Sequence, residues 1–398
     1  MKITDLKCAV IGDHPIVRIV TDEGISGYGE IEHFKPTWAP IVMMVKPALI
    51  GQDPTDVERV MRRIRARGGF KPWGAAVSAI EMALWDIAGK AAGVPVYKLL
   101  GGKVRDRVRT YNGSRRQPLT GQEPEDYAKA VRYMADCEEG FTIVKQAIAF
   151  HTTMIYDIPD FYVHTPEEKA FHGFPNRGLM TEKGFRHVVA CAEAMKEELG
   201  DRVGLALDCG PGWVLPDAIR FAREVERLNL VWLEDMLTGD YTPFVNADVY
   251  RELTRATSTP IHTGEQIYLR QNFKSLIEGH AVNVIGPDPC DIGGIAELKW
   301  VAEYADLHGI LMAPHGTGNG LLGLAALVQV CATLPDNFVA FEYPSARTEW
   351  WSEIVEGMPD PIVENGTIAV WDRPGMGVEF NIEKTLPYLA EEDRDFFA

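Results

Sequence analysis

The 398-residue chain has little of what marks secreted, membrane or nucleic-acid-binding proteins. Its six cysteines (Cys8, Cys137, Cys191, Cys209, Cys290 and Cys331) are scattered, with no Cys-x-x-Cys pair. That excludes a zinc or disulfide framework and fits reduced thiols in a cytoplasmic setting. No apolar run reaches the length of a bilayer span, and the opening MKITDLK lacks a signal-peptide pattern. Basic residues are in deficit, 40 Lys and Arg against 57 Asp and Glu. The resulting net charge of -17 argues against nucleic acid or an anionic membrane surface as partner. There is no P-loop and no Gly-x-Ser-x-Gly elbow. His-x-His is missing too, which weakens any barrel metallohydrolase built on imidazole ligands. Internal repeats and low-complexity segments are absent.

What is present is an ordinary globular composition, 46% hydrophobic and 24% charged. Against it stand three acids spaced along residues 203 to 265. VGLALDCG carries Asp208, LVWLEDM carries Glu234 and TPIHTGEQ carries Glu265. Each follows a short apolar run of the buried-strand type. A lone acid after a strand reads as a helix N-cap or a surface charge. Three in successive units of a parallel barrel end on one face, where catalytic groups collect. Their carboxylates would repel one another without a cation between them. All-oxygen ligands point to Mg2+, with Mn2+ as the alternative, one ion per subunit. Such an ion also gives an acidic protein a local positive site for an anionic substrate.

Residues 1–108 read as a small α+β domain. HPIVRIVTDEGISGYGEI alternates around Gly24 and Gly27 as an antiparallel hairpin, and DPTDVERVMRRIRAR and AAVSAIEMALWDIAGKAAG have helical spacing. Over 109–350, eight strand-like runs alternate with helices: VRTYNG, FTIVKQ, VGLALD, LVWLED, PIHTGE, AVNVIGPD, GILMAPH and FVAFEYP. That pattern predicts an α/β fold, a parallel β/α barrel of the TIM type. About 60 residues separate the second and third runs, double a normal unit. The excess, at about 151–180, is rich in aromatic, His and Pro residues and reads as a binding lid or an oligomer contact. Residues 351–398 turn back toward the first domain. A Gly-x-Gly-x-x-Gly run at Gly318, Gly320 and Gly323 lacks the rest of a dinucleotide fold. It reads as a barrel loop entering a helix.

With these motifs in place, the chain resembles the enolase superfamily, in its mandelate-racemase-like subgroup and near the sugar-acid dehydratases. The resemblance covers nearly the whole length, including SAIEMALWDIAGKAAGVPVYKLLGG and the closing PGMGVEF. It implies a modified (β/α)7β barrel whose α+β capping domain joins the N-terminal region to the C-terminal tail. It also implies that Asp208, Glu234 and Glu265 bind Mg2+. PDPCDIGG matches the family Asp at Asp288, APHG the family His at His315, and FEYP the strand-eight acid at Glu342. The second strand departs from the pattern. Where the subgroup often ends in Lys-x-Lys, VKQA keeps Lys145 and has Ala147 in place of the second lysine.

The chemistry expected is removal of the proton next to a carboxylate, with the charge that forms stabilised by a divalent cation. His315 is the expected base, its tautomer fixed by Asp288, with Asp291 as the other candidate. Lys145 is expected to contact the substrate carboxylate or act on the opposite face; its structural reading is an internal salt bridge to a barrel acid. Glu342 positions the substrate oxygen. Tyr156, His151 and His172 of the insertion are candidates for a second acid or substrate contact. Trp38, with Glu32 and Phe34, follows the first hairpin, and Arg67, Lys71 and Trp73 are candidate pocket residues. One His-Asp pair without the second lysine favours dehydration of an aldonate or aldarate to a 2-keto-3-deoxy acid. Epimerisation of a 2-hydroxy acid by Lys145 and His315 is the alternative, and a non-catalytic acid-sugar binder the second. A small-molecule substrate and a homo-oligomer are the partners expected.

Overall fold

In a computed structural model, which describes residues 1–32, 38–66, 74–163, 179–237, 245–316, 318, 320–344 and 351–398, the chain opens with three antiparallel strands. These are β1 (Ile3–Ile11), β2 (His14–Thr21) and β3 (Ser26–Glu30). The helices Trp38–Leu49, Val57–Ala66 and Ala75–Ala92 follow. The last of them lies directly on β3, and glycine makes that possible. A Cβ at Gly29 would stand 1.8 Å from the Ala79 carbonyl oxygen, and one at Gly27 would stand 2.1 Å from that of Ala83. Ala79 and Ala83 are one helical turn apart on one face, so small residues on both sides set the close approach. The helix stops at Gly93, whose left-handed φ of 68° directs its N–H back to Gly89 and Lys90.

Eight parallel strands make the barrel: β4 (Arg107–Asn112), β5 (Ile143–Ala147), β6 (Gly204–Asp208), β7 (Leu233–Glu234), β8 (Ile261–Thr263), β9 (Val284–Ile285), β10 (Leu311–Met312) and β11 (Phe341–Tyr343). They run in sequence order around the sheet, and β11 pairs with β4. Between β10 and β11 the barrel is closed by Val339 donating to the Met312 carbonyl at 2.8 Å and Glu342 to that of Pro314 at 2.9 Å. All eight runs expected from the sequence are therefore barrel strands. After β5 the chain makes a 3-10 turn (Ala149–His151), a short helix (Met154–Asp157) and a Tyr162–Met180 bridge, then the helix Glu182–Leu199. Residues 164–178, with His172, lie outside the described residues, as do 33–37 and 67–73, with Phe34, Arg67, Lys71 and Trp73. Among the described residues no helix is long and apolar enough to cross a membrane.

Two differences from expectation concern the N-terminal part. β1 forms a third strand beside the hairpin, and Trp38 begins a helix that the sequence pattern did not predict. Pro40 falls in the first turn of that helix, where a missing N–H costs nothing. The C-terminal tail returns to this region. Arg18 donates to the Phe396 carbonyl at 2.7 Å, and Tyr28 packs edge-on to Phe380.

Carboxyl groups from the N-terminal layer bind the first-turn amides at two barrel-helix starts. Glu81 accepts from the Ile295 and Ala296 amides at 2.8 and 3.0 Å and from the Trp85 indole at 2.7 Å. Glu30, at the end of β3, accepts from the amides of Gly320 and of Gly323, the latter at 2.9 Å. The glycine run thus enters the helix Leu321–Cys331, and its amides hold a carboxylate of the protein itself.

Burial pushes the Glu81 carboxyl up to about 8, with Glu297 adding to the push and the three donors opposing it. Between its ordinary 4.5 and about 8 the folded protein holds a proton that the unfolded chain has released. This contribution to stability is full below 4.5 and is lost as pH rises through about 8. Glu81→Gln, which cannot ionise, is expected to flatten the urea-derived stability profile over that window. An unaltered slope in the variant would contradict this reading of Glu81.

Candidate active site

Side chains alternate along a strand, so each barrel strand sends every second residue inward. β5 points Lys145 into the barrel opposite Ala206 of β6. Asp208 and Glu234 end neighbouring strands and are in-register partners. Gly264, at φ +136°, turns the chain after β8 in a conformation open to glycine, and Glu265 follows it. Asp288 and His315 each stand three residues beyond a short strand, and Glu342 lies at the centre of β11. Seven side chains from different strands are thereby gathered at one end of the barrel.

The Lys145 ammonium donates to Glu234 Oε1 and lies 3.2 Å from Glu342 Oε1 and 3.5 Å from Asp208 Oδ2. Across the centre, His315 Nδ1 bonds Asp288 Oδ2 at 2.7 Å. Its Nε2 lies 3.5 Å from Glu265 Oε2 and 3.6 Å from Glu342 Oε2. Glu342 therefore meets Lys145 through one oxygen and His315 through the other. Asp288 is itself oriented, because its second oxygen accepts from the Cys290 amide at 2.7 Å. His151, in the turn after β5, places Nδ1 3.4 Å from Asp208 Oδ1. Gly210 permits this approach, since a Cβ there would stand 2.8 Å from the His151 backbone nitrogen.

Carboxylates dominate the charge of the centre. Burial alone would push the Lys145 ammonium down, yet Glu234 and Glu342 hold it well above the usual lysine range. Burial likewise opposes the His315 imidazolium, and Glu265, Asp288 and Glu342 outweigh it. Burial works against the Asp208 anion, while His151 and Lys145 draw its carboxyl down to about 2. Glu265 is pushed far up by burial, with Asp235 and Asp208 adding repulsion that His315 offsets only in part.

The donor set suits a hard divalent cation. It consists of carboxylate oxygens from Asp208, Glu234 and Glu265 with no sulfur, and a cation would relieve the repulsion that raises Glu265. Among the described residues, no three such side chains already close around a common point, and Lys145 bridges Asp208 and Glu234. Outside the cluster, Tyr156 lies half-buried in the Met154–Asp157 helix, and Trp38 is half-buried at the start of its own helix. Several residues of the centre carry no expectation from the sequence: Trp232, His262, Tyr111 and Asp235. Trp232 stands two before Glu234, so alternation would have placed it on the inner face, whereas His262, three before Glu265, would have fallen on the outer one.

A closed parallel barrel with acids at successive strand ends, topped by an α+β layer, defines an enolase-type scaffold. Comparison with known families agrees. Residues 12–101 match the mandelate racemase/muconate lactonizing enzyme N-terminal domain, and residues 127–385 match the enolase C-terminal domain-like family. The chain belongs to the mandelate racemase/muconate lactonizing enzyme family. It is 32% identical to the D-xylonate dehydratase of Haloferax volcanii, over 99% of this chain and 90% of that one. It is 30% identical to the D-galactonate dehydratase of Verminephrobacter eiseniae, over 96% of this chain and 92% of that one. In structure it matches a mandelate racemase/muconate lactonizing enzyme-like protein from Rubrobacter xylanophilus at a TM-score of 0.82 and 32% identity, covering 98% of each. At this identity over nearly the full length, these relatives place the chain among the dehydratases, which are hydro-lyases.

Proposed function

We propose that the protein is a Mg2+-dependent dehydratase of a sugar acid, an aldonate such as D-xylonate or D-galactonate or a related aldarate, and that it forms a 2-keto-3-deoxy acid. The observation that carries this reading is the His315–Asp288 pair, which faces Glu342 and Glu265 across from Lys145. Asp208, Glu234 and Glu265 would hold the divalent cation. When bound, it supplies electrostatic stabilisation to the carboxylate oxygens as the adjacent carbon loses its proton.

The remaining steps belong to the chain's own groups. With the carboxylates that favour its imidazolium offset by a divalent cation held by the acids, and its Nδ1 proton held by Asp288, His315 would present Nε2 as the acceptor for the C2 proton. The C2–C3 double bond forms as the C3–O bond breaks, and the same imidazolium returns the proton to the departing hydroxyl. Water leaves, and the enol tautomerises to the 2-keto acid. Lys145 steadies the substrate carboxylate from the opposite side, and Glu342, placed between Lys145 and His315, orients a substrate hydroxyl. His151, close to Asp208, is assigned to substrate contact, as are Tyr156 and Trp38; Arg67 and His172, which lie outside the described residues, keep that assignment from the sequence alone.

Incubation with Mg2+ and a panel of aldonates and aldarates tests the proposal through semicarbazide detection of 2-keto acids. At least one substrate is expected to yield product, and the yield should vanish with chelator. Inversion at C2 without loss of water would turn the reading to epimerisation. Tight binding with no turnover would make the protein an acid-sugar binder.

A further inference from the structure

Beneath the carboxylates three rings share the barrel interior with the aliphatic side chains of Ile143 and Val284. Tyr111, Trp232 and His262 share this level, and Ala206, Ala313 and Ala340 leave room for them. Trp232 immediately precedes β7, two residues before Glu234, and its side chain reaches the same carboxylate face. The Trp232 indole N–H donates to Glu234 Oε2 at 2.7 Å, while Lys145 takes Oε1. His262 is the in-register neighbour of Glu234 on β8. Its ring stacks on the indole, with centroids 5.2 Å apart and planes at 22°. That places Nδ1 3.3 Å from the same Oε2 and Nε2 3.2 Å from the Ala313 carbonyl. Tyr111 closes the other side of the indole edge-on, at 5.2 Å and 77°. The pocket for the His262 ring is built into the backbone, because a Cβ at Gly286 would fall 2.4 Å from its Nε2.

We propose that Trp232, held flat by His262, is a positioning residue that binds Oε2 of Glu234, so that Oε1, the oxygen shared with the Lys145 ammonium, is the one that side chain offers for coordination. The inference rests on reading Glu234 as a metal ligand. A hydrogen bond from a neutral donor to a carboxylate is stronger than one between neutral groups, and here both partners are shielded from water. A carboxylate bound in this way cannot rotate to present both oxygens. Neither ring contacts the substrate side of the centre in this scheme; both act through Glu234.

The test is Mn2+ affinity of the full-length protein, read from the free-ion paramagnetic resonance signal without substrate. Trp232→Phe keeps an aromatic ring and removes the N–H, and is expected to raise the Mn2+ Kd about 10- to 100-fold. His262→Leu keeps apolar volume, leaves the indole in place and is expected to shift Kd less, in the same direction. A purely structural role would lower the melting temperature and leave Kd where it was. Glu234→Gln separates the two levels of the argument. If it binds Mn2+ like the wild type, Glu234 is no ligand and the underlying reading fails. If Glu234→Gln loses the ion while Trp232→Phe keeps wild-type affinity, the positioning role is overturned. Should Trp232→Phe not fold, an unchanged Kd in His262→Leu overturns the proposal as well.

Discussion

Asparagine in place of His315 is expected to lower kcat for sugar-acid dehydration by about 10²- to 10⁴-fold, the usual contribution of a positioned acid-base group. Asparagine keeps an amide that can donate to Asp288 and roughly preserves the shape of the site, so the loss falls on proton transfer rather than on folding. KM is expected to stay near the wild-type value, because Lys145 and the cation site still receive the carboxylate. The measurement is steady-state turnover of the substrate found in the panel. A wild-type kcat in His315→Asn would remove His315 from the role of base.

The second large effect is on stability. Lys145 is buried among Glu234, Glu342 and Asp208, and its ammonium is the cation nearest to Glu234. Lys145→Met keeps much of the apolar stem and removes the charge. Breaking a buried ion pair from one side leaves carboxylates uncompensated in a low-dielectric interior, which costs about 3–5 kcal/mol. Urea denaturation in chelator measures this, and the midpoint should fall with little change in slope. A variant as stable as the wild type would show that the carboxylates protonate or hydrate at no cost. The internal salt bridge, considered from the sequence as the structural role of Lys145, is thus present, and the proposed contact with the substrate carboxylate would start from that same geometry.

Much of the site was legible because each acid closes an apolar strand run. Asp208, Glu234 and Glu265 sit where such runs end, and a parallel barrel brings consecutive strand ends together. The partner of His315 was harder to read. Asp288 and Asp291 lie three residues apart in one turn, and only the folded loop brings Asp288 Oδ2 to within 2.7 Å of the ring. Trp232 was within reach of strand alternation, but a tryptophan beside an acid reads first as core, and the turn at Gly264 hid the inward direction of His262. Glu30 and Glu81 lay beyond local pattern, because the amides they bind are more than two hundred residues away. The Trp38–Leu49 helix was hidden by Pro40 and Pro47, residues that ordinarily break helices and here fall in its first and last turns. Of these omissions, those of Glu30 and Glu81 depend on contacts between distant parts of the chain, and that of the helix on its own prolines.

Proton NMR in D2O with Mg2+ and the best substrate of the panel tests the central claim most directly. The account predicts that the C2 proton signal disappears while a new C3 methylene appears carrying one deuterium, since the enol collects its proton from solvent. A C2 signal lost to exchange while C3 keeps its hydroxyl would contradict dehydration.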